Sequence, residues 1–147
     1  MKKQTLAIVA TLSIVITLTV TGLAGLNTTV KANIPFDFMV NGKTLPAGAY
    51  SVEPGASRNT LVIRSKENRV AISAITMAAN DKSAGKARLV FRRYGNRHFL
   101  TQVYDGSGGD GQELPKSKAE REAAKSDHLA MKQAAPEIVT IGAQAGQ

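Results

Sequence analysis

Arg88-Leu-Val-Phe-Arg-Arg-Tyr94, Gly95-Asn-Arg97 and His98-Phe-Leu-Thr-Gln-Val-Tyr-Asp105 read as two strands around a tight turn. Along the first, Arg88, Val90, Arg92 and Tyr94 share one parity and Leu89, Phe91 and Arg93 the other, the period-two pattern of a strand with two unlike faces. Gly95 and Asn96 tolerate the backbone angles a short hairpin needs. Antiparallel β structure is the starting expectation.

The same signature repeats toward the amino end. Ile34, Phe36, Phe38 and Val40 alternate with Pro35, Asp37 and Met39, and Asn41-Gly42 is the strongest short-range hairpin signal, with residues 43–45 returning. Leu45-Pro-Ala-Gly48 turns the chain into a strand over 49–53, and Pro54-Gly55 ends it. Residues 60–64 are rich in β-branched side chains, residues 69–77 alternate again, and 78–87 reads as the longest surface connection. About seven short strands at this spacing predict an all-β fold, a small antiparallel β-sandwich or barrel.

Past Asp105 the character changes. Gly106-Ser-Gly-Gly-Asp-Gly111 opens a flexible linker over 106–115. Residues 116–135 are dense in alanine, glutamate and lysine, and Ser117 precedes Glu120 at the spacing of a reciprocal capping box, so a charged helix is expected there. Pro136 stops it, and 136–147 reads as a flexible tail, with 138–141 able to add an edge strand.

The amino end is a leader. Lys2 and Lys3 precede an apolar run over 6–20, then Gly22, Gly25 and Val30-Lys31-Ala32. This is the layout of a cleavable signal peptide spanning 1–32, with the cut between Ala32 and Asn33 and a β domain over 33–105. The alternative is an uncleaved anchor over 6–26, since a spanning helix needs about 20 residues. A periplasmic or extracellular protein follows from the first reading. Membrane contact is then confined to the leader before the cut.

The formal net charge of +8 falls to +5 once Lys2, Lys3 and Lys31 leave with the leader. A moderate positive charge favours loose attraction to anions. Outside the cytoplasm these are envelope polysaccharide, lipid or an acidic protein partner rather than nucleic acid. The chain has no cysteine, which excludes disulfides, lipoprotein attachment, thiol catalysis and cysteine-held metals.

Catalytic patterns do not assemble. Gly106, Gly108 and Gly111 have dinucleotide-loop spacing without the βαβ unit it requires, and Gly42-Lys43-Thr44 imitates a P-loop end while Asp37 stands where the first glycine belongs. An EF-hand starting at Asp105 would need glycine at 110 and glutamate at 116, where Asp110 and Lys116 stand. Convergence of Asp105, Asp110 and Glu113 on a metal is the weaker alternative to no metal site. His98 and His128 fall on different elements. Ser51, Ser73 and Ser107 lack a nucleophile elbow and a neighbouring base, and the carboxylates are scattered. No cofactor and no enzymatic activity are expected.

The cluster that stands out is Lys86, Arg88, Arg92, Arg93 and Arg97, interleaved with Phe91, Tyr94 and Phe99, and alternation puts Arg88, Arg92 and Tyr94 on one face. Guanidinium forks grip carboxylates and phosphates, and aromatic rings stack on sugars. Against this stands a plain solvated strand face whose arginines cover apolar edges.

Ile34-Pro-Phe-Asp-Phe38, Leu45-Pro-Ala-Gly48 with Tyr50, Leu89-Val-Phe-Arg-Arg-Tyr-Gly95 with Phe99 and Leu100, and Glu113-Leu-Pro-Lys-Ser117 follow one another in order. In this the chain resembles a family of small exported bacterial proteins of unknown function, over about residues 34–124. The resemblance implies a secreted β domain followed by a charged helix and brings no substrate, cofactor or catalytic residue. The function expected is that of an exported binding or structural module of the cell envelope. A carbohydrate or anionic-polymer binder using the Arg/Tyr face and a hydrolase with an unrecognised site are the alternatives.

Overall fold

The computed structural model describes residue 26 and residues 28–67, 69–81, 85–131 and 135–146. The apolar run over 6–20 and the middle of the 78–87 connection lie outside them. In chain order the elements are β1 (Thr29–Ile34), β2 (Phe38–Val40), β3 (Lys43–Leu45), β4 (Gly48–Pro54), β5 (Thr60–Ser65), β6 (Ala71–Ile75), β7 (Met77–Asn80), β8 (Ala87–Tyr94), β9 (Arg97–Asp105), β10 (Asp110–Glu113), α1 (Lys118–Met131), β11 (Glu137–Gly142) and β12 (Gln144–Gly146). They form a mostly β chain with two sheets and one helix toward the C-terminus.

The first sheet has the order β12-β1-β4-β5-β6 and is antiparallel throughout. The second has the order β11-β8-β9-β10-β7, and the β2–β3 hairpin joins it through a parallel pairing of β2 with β9. Alternation explains what lies between them. Val30, Tyr50, Val52, Leu61, Ile63 and Ile72 of the first sheet meet Phe38, Leu45, Leu89, Phe91, Leu100 and Val103 of the second in one apolar core. Phe91 sits at its middle with no exposed surface, edge-on to Phe36 at 5.2 Å and to Phe38 at 5.6 Å.

The predicted turns form for the predicted reasons. Asn41 and Gly42 take φ of 51° and 77°, the left-handed values a two-residue hairpin loop requires. The Leu-Pro-Ala-Gly turn is closed by Tyr50, whose hydroxyl donates to the Pro46 carbonyl at 2.7 Å.

Four short crossings carry the chain between sheets, one of them the Leu-Pro-Ala-Gly turn from β3 to β4. The single strand expected over 34–40 breaks at residues 35–37, where Pro35 lacks an N–H for a ladder and the Asp37 carboxylate accepts the Ala47 N–H at 2.9 Å. At the third crossing Thr76 is buried, its hydroxyl on the Gln112 side-chain oxygen and its N–H donating to the Asn59 carbonyl at 2.8 Å. The fourth is at Ala143, which donates to the Ala87 carbonyl at 2.9 Å.

The structure corrects four expectations. Neither sheet closes into a barrel, and the strands number twelve among the described residues rather than about seven. The glycine-rich 106–115 segment is not a loose linker. Gly106, Gly108 and Gly109 take φ of 84°, 112° and 94° to make a tight turn, and β10 then pairs with both β9 and β7. A Cβ on Gly111 would sit 2.5 Å from the Tyr104 ring, so glycine there is a packing requirement. The 136–147 tail is not loose either: β11 extends the second sheet along all of 88–93, and β12 extends the first along β1. The Ala32–Asn33 bond falls inside a core strand. Residues 30–34 of β1 pair with β4, and Val30 is fully buried.

Parity along β9 also differs from simple alternation. Val90 faces Gln102 while Phe91 faces Leu100, so Thr101 is an extra residue, a β-bulge whose hydroxyl donates to the Val90 carbonyl at 3.0 Å. Across the bulge the faces exchange. Gln102 pairs with Val90, and Tyr104 packs with Val90 and Ala79, before the exchange; Phe99 joins Tyr94 on that same outer side after it. No helix among the described residues is long and apolar enough to cross a membrane.

Candidate functional site

The outer face of β8 carries the sequence's principal candidates. Arg88 reaches the Asp81 carboxylate at 2.5 Å and lies over the Tyr104 ring, 4.1 Å from its centroid. Four residues on, about 13 Å at the rise of a strand, Arg92 stands between two carboxylates, Glu113 at 3.4 Å and Glu120 at 3.3 Å. Tyr94 is buried with Phe99 and Ala123 as α1 packs over this end of the sheet. Burial first, and the Glu120 charge second, push its phenol above the ordinary tyrosine value.

The expected capping box is half formed. Ser117 accepts the Glu120 N–H at 3.1 Å, but the Glu120 side chain, 4% exposed, turns to Arg92. The helix is thereby tied to the sheet. The structure brings Arg92 and Tyr94 together beneath α1 and places Arg88 apart from them, each guanidinium already answered by carboxylates of the chain.

The remaining candidates are dispersed. Asp105 accepts the backbone N–H and the hydroxyl of Ser107 at 2.9 and 2.5 Å, Asp110 accepts from Asn80, and Glu113 is on Arg92. Among the described residues no three His, Asp or Glu side chains gather as a metal site would require. Ser51 donates to Glu53 at 3.3 Å. His98 stacks on Phe36 with ring centroids 3.9 Å apart; burial, and then the Arg93 charge, lower its pKa from the usual imidazole value. His128 lies on α1 beside a hollow of about 340 Å³ shared with Tyr94, Lys125 and Pro136.

A larger feature was not legible from any motif. A cleft of about 1040 Å³ opens along β1, β4 and β5 and reaches the start of β8 and the β11–β12 crossing. Register builds it. Lys31 faces Gln144 on one side and Ser51 on the other, and Ser51 faces Arg64, a polar row across four strands. Asn33 and Ala49 make the neighbouring pair, and the Lys66 N–H donates to the Ala49 carbonyl at 3.0 Å. Lys86 and Arg88 enter from the second sheet.

Five cationic side chains therefore line the cleft, Lys31, Arg64, Lys66, Lys86 and Arg88, and no carboxylate appears among its described lining residues. Arg64 pairs with Glu53 at 3.2 Å and Arg88 with Asp81. Lys31, Lys66 and Lys86 are exposed and enter no ion pair among the described residues. A concave surface lined by one sign of charge focuses its field and concentrates counter-ions. Asn33, Ser51, Thr140 and Gln144 add neutral hydrogen-bonding groups to the same walls. Lys86 and Arg88 belong to the basic cluster visible in the sequence, whereas Lys31, Arg64 and Lys66 are separated in sequence and meet only through strand register.

No protein-family model, curated protein or solved structure matches this chain.

Proposed function

We propose that this chain is an exported, non-enzymatic binding module of the cell envelope that holds an acidic polysaccharide in the cleft between Lys31, Lys66 and Lys86. The observation that carries the reading is the cleft's charge: five cations, three of them without an ion-pair partner among the described residues, and no lining carboxylate. Its size and openness suit a polymer segment, and its amides and hydroxyls suit sugar hydroxyls. The leader-like amino end and the resemblance to small exported bacterial proteins support the location. The Arg/Tyr face of β8 contributes Arg88 to the cleft, while Arg92 and Tyr94 hold α1 in place.

The test is binding of the purified exported protein to an acidic polysaccharide, to the uncharged parent polymer and to vesicles of anionic lipid. The acidic polymer is expected to bind, and to bind less tightly as salt rises, since exposed charges are screened beyond about 8 Å at physiological ionic strength. Reversing two unpaired charges with Lys66→Glu and Lys86→Glu, at about 1 kcal/mol each, should weaken it by tenfold or more. Equal binding of the neutral polymer, binding of the vesicles alone, or an unchanged affinity in the double variant would each defeat the proposal.

A further inference from the structure

The leader's cutting point follows from what the folded product must contain. β1 begins at Thr29, Val30 has no exposed surface, and Leu26 is buried in the same core. Lys31 belongs to the cleft. Cutting after Ala32 would remove all of these, together with every pair that β1 makes with β12 and the pairs of Val30, Lys31 and Ala32 with Val52, Ser51 and Tyr50. A leader is cut while the chain is still extended, so burial does not shield the Ala32–Asn33 bond. The objection to that site lies in the product, which would lack four of the six residues of β1.

The peptidase needs small side chains one and three residues before the cut, a few residues past the apolar run. Between Val20 and Thr29 the sequence Val20-Thr-Gly-Leu-Ala-Gly-Leu-Asn-Thr28 meets this at Gly22-Leu23-Ala24. Cuts after Leu23 or Leu26 place leucine in the nearer position. Cuts after Gly25 or Thr28 place it in the farther one, and a cut after Asn27 puts a bulky amide beside the bond. Gly22 with Val20 is another small pair, but Val20 still belongs to the apolar run. Resting on the export reading above, we infer that the leader is removed between Ala24 and Gly25. The mature chain then keeps Leu26, Val30 and Lys31, and Val30-Lys31-Ala32 matches the cleavage pattern only because a strand with small inward residues has the same appearance.

The experiment is expression of the full chain with its own leader in a bacterial host, followed by identification of the exported protein's first residue by mass spectrometry. Gly25 is the expected start. Ala24→Arg should stop processing and leave the precursor, whereas Ala32→Arg should be processed at the normal rate, a readout taken before folding matters. A product starting at Asn33, or anywhere other than Gly25, overturns the inference and leaves export standing. A chain that is never cut but reaches the envelope overturns the inference in favour of the uncleaved anchor, and a chain that stays in the cytoplasm overturns the export reading with it.

Discussion

A chain beginning at Asn33 is expected to show no cooperative unfolding transition, under conditions where a chain beginning at Gly25 melts sharply. The shorter chain lacks Val30 and Leu26, both buried in the central core. Full burial of an aliphatic side chain is worth about 1.5–3 kcal/mol, so these two alone account for roughly 3–6 kcal/mol. It also lacks three of the five pairs that β1 makes with β4 and all three with β12. A domain's whole stability is of order 5–15 kcal/mol, and the loss takes most of it. Circular dichroism melts of the two chains check this directly. An equally sharp and equally high transition in the shorter chain would show that residues 25–32 are dispensable to the fold.

The second large effect is expected at the other terminus. Ending the chain at Pro136 removes β11 and β12, which pair with β8 and β1 and so close one side of both sheets. Val139, Ile141 and Ala143 pack half-buried against the core, worth about 1 kcal/mol each at partial burial. The ion pair of Arg93 with Glu137 is exposed on both sides and adds little. A loss of about 3 kcal/mol should lower the melting temperature by roughly 10 °C. It also uncovers the edge of β8, with Leu89 and Phe91 behind it, and an uncovered apolar edge invites strand pairing between molecules. Light scattering on heating should therefore rise with protein concentration in the truncated chain. An unchanged melting temperature would return 136–147 to the status of a loose tail.

Both effects concern segments whose composition conceals their role. Where one local signal decides the outcome, the sequence was readable. Asn41-Gly42 makes its hairpin, Gly95-Asn96 turns β8 into β9, and Ser117 caps α1. Alternation also placed Leu89 and Phe91 opposite Arg88, Val90, Arg92 and Tyr94, as found. It failed where one extra residue exchanges the faces, since nothing in Leu100-Thr101-Gln102 announces a bulge. The glycines of 106–111 read as looseness because composition does not distinguish a glycine that is free from one that a positive φ or the Tyr104 ring demands.

The site was less legible still, for a related reason. An arginine-rich strand face is visible in sequence, but the carboxylates that answer it, Glu113 and Glu120, come from elements that only the fold brings near. Lys86 was visible only as part of the basic cluster around β8, and Lys31 and Lys66 were unremarkable as separate lysines. Their meaning comes from the register of β1 with β4 and β12, from the position of Lys66 just past β5, and from the short crossing at Ala143 that brings the start of β8 alongside. Long-range register is what a single sequence encodes least openly.

The most direct measurement is a map of backbone amide shifts as the isotope-labelled protein beginning at Gly25 is titrated with an acidic oligosaccharide. Saturating shifts should gather at Lys31, Asn33, Lys66, Lys86, Gly142 and Gln144, while the amides of α1 stay in place. Shifts centred instead on Arg92, Tyr94 and α1, or none at any concentration, would contradict an anion-binding cleft built on the face of β1.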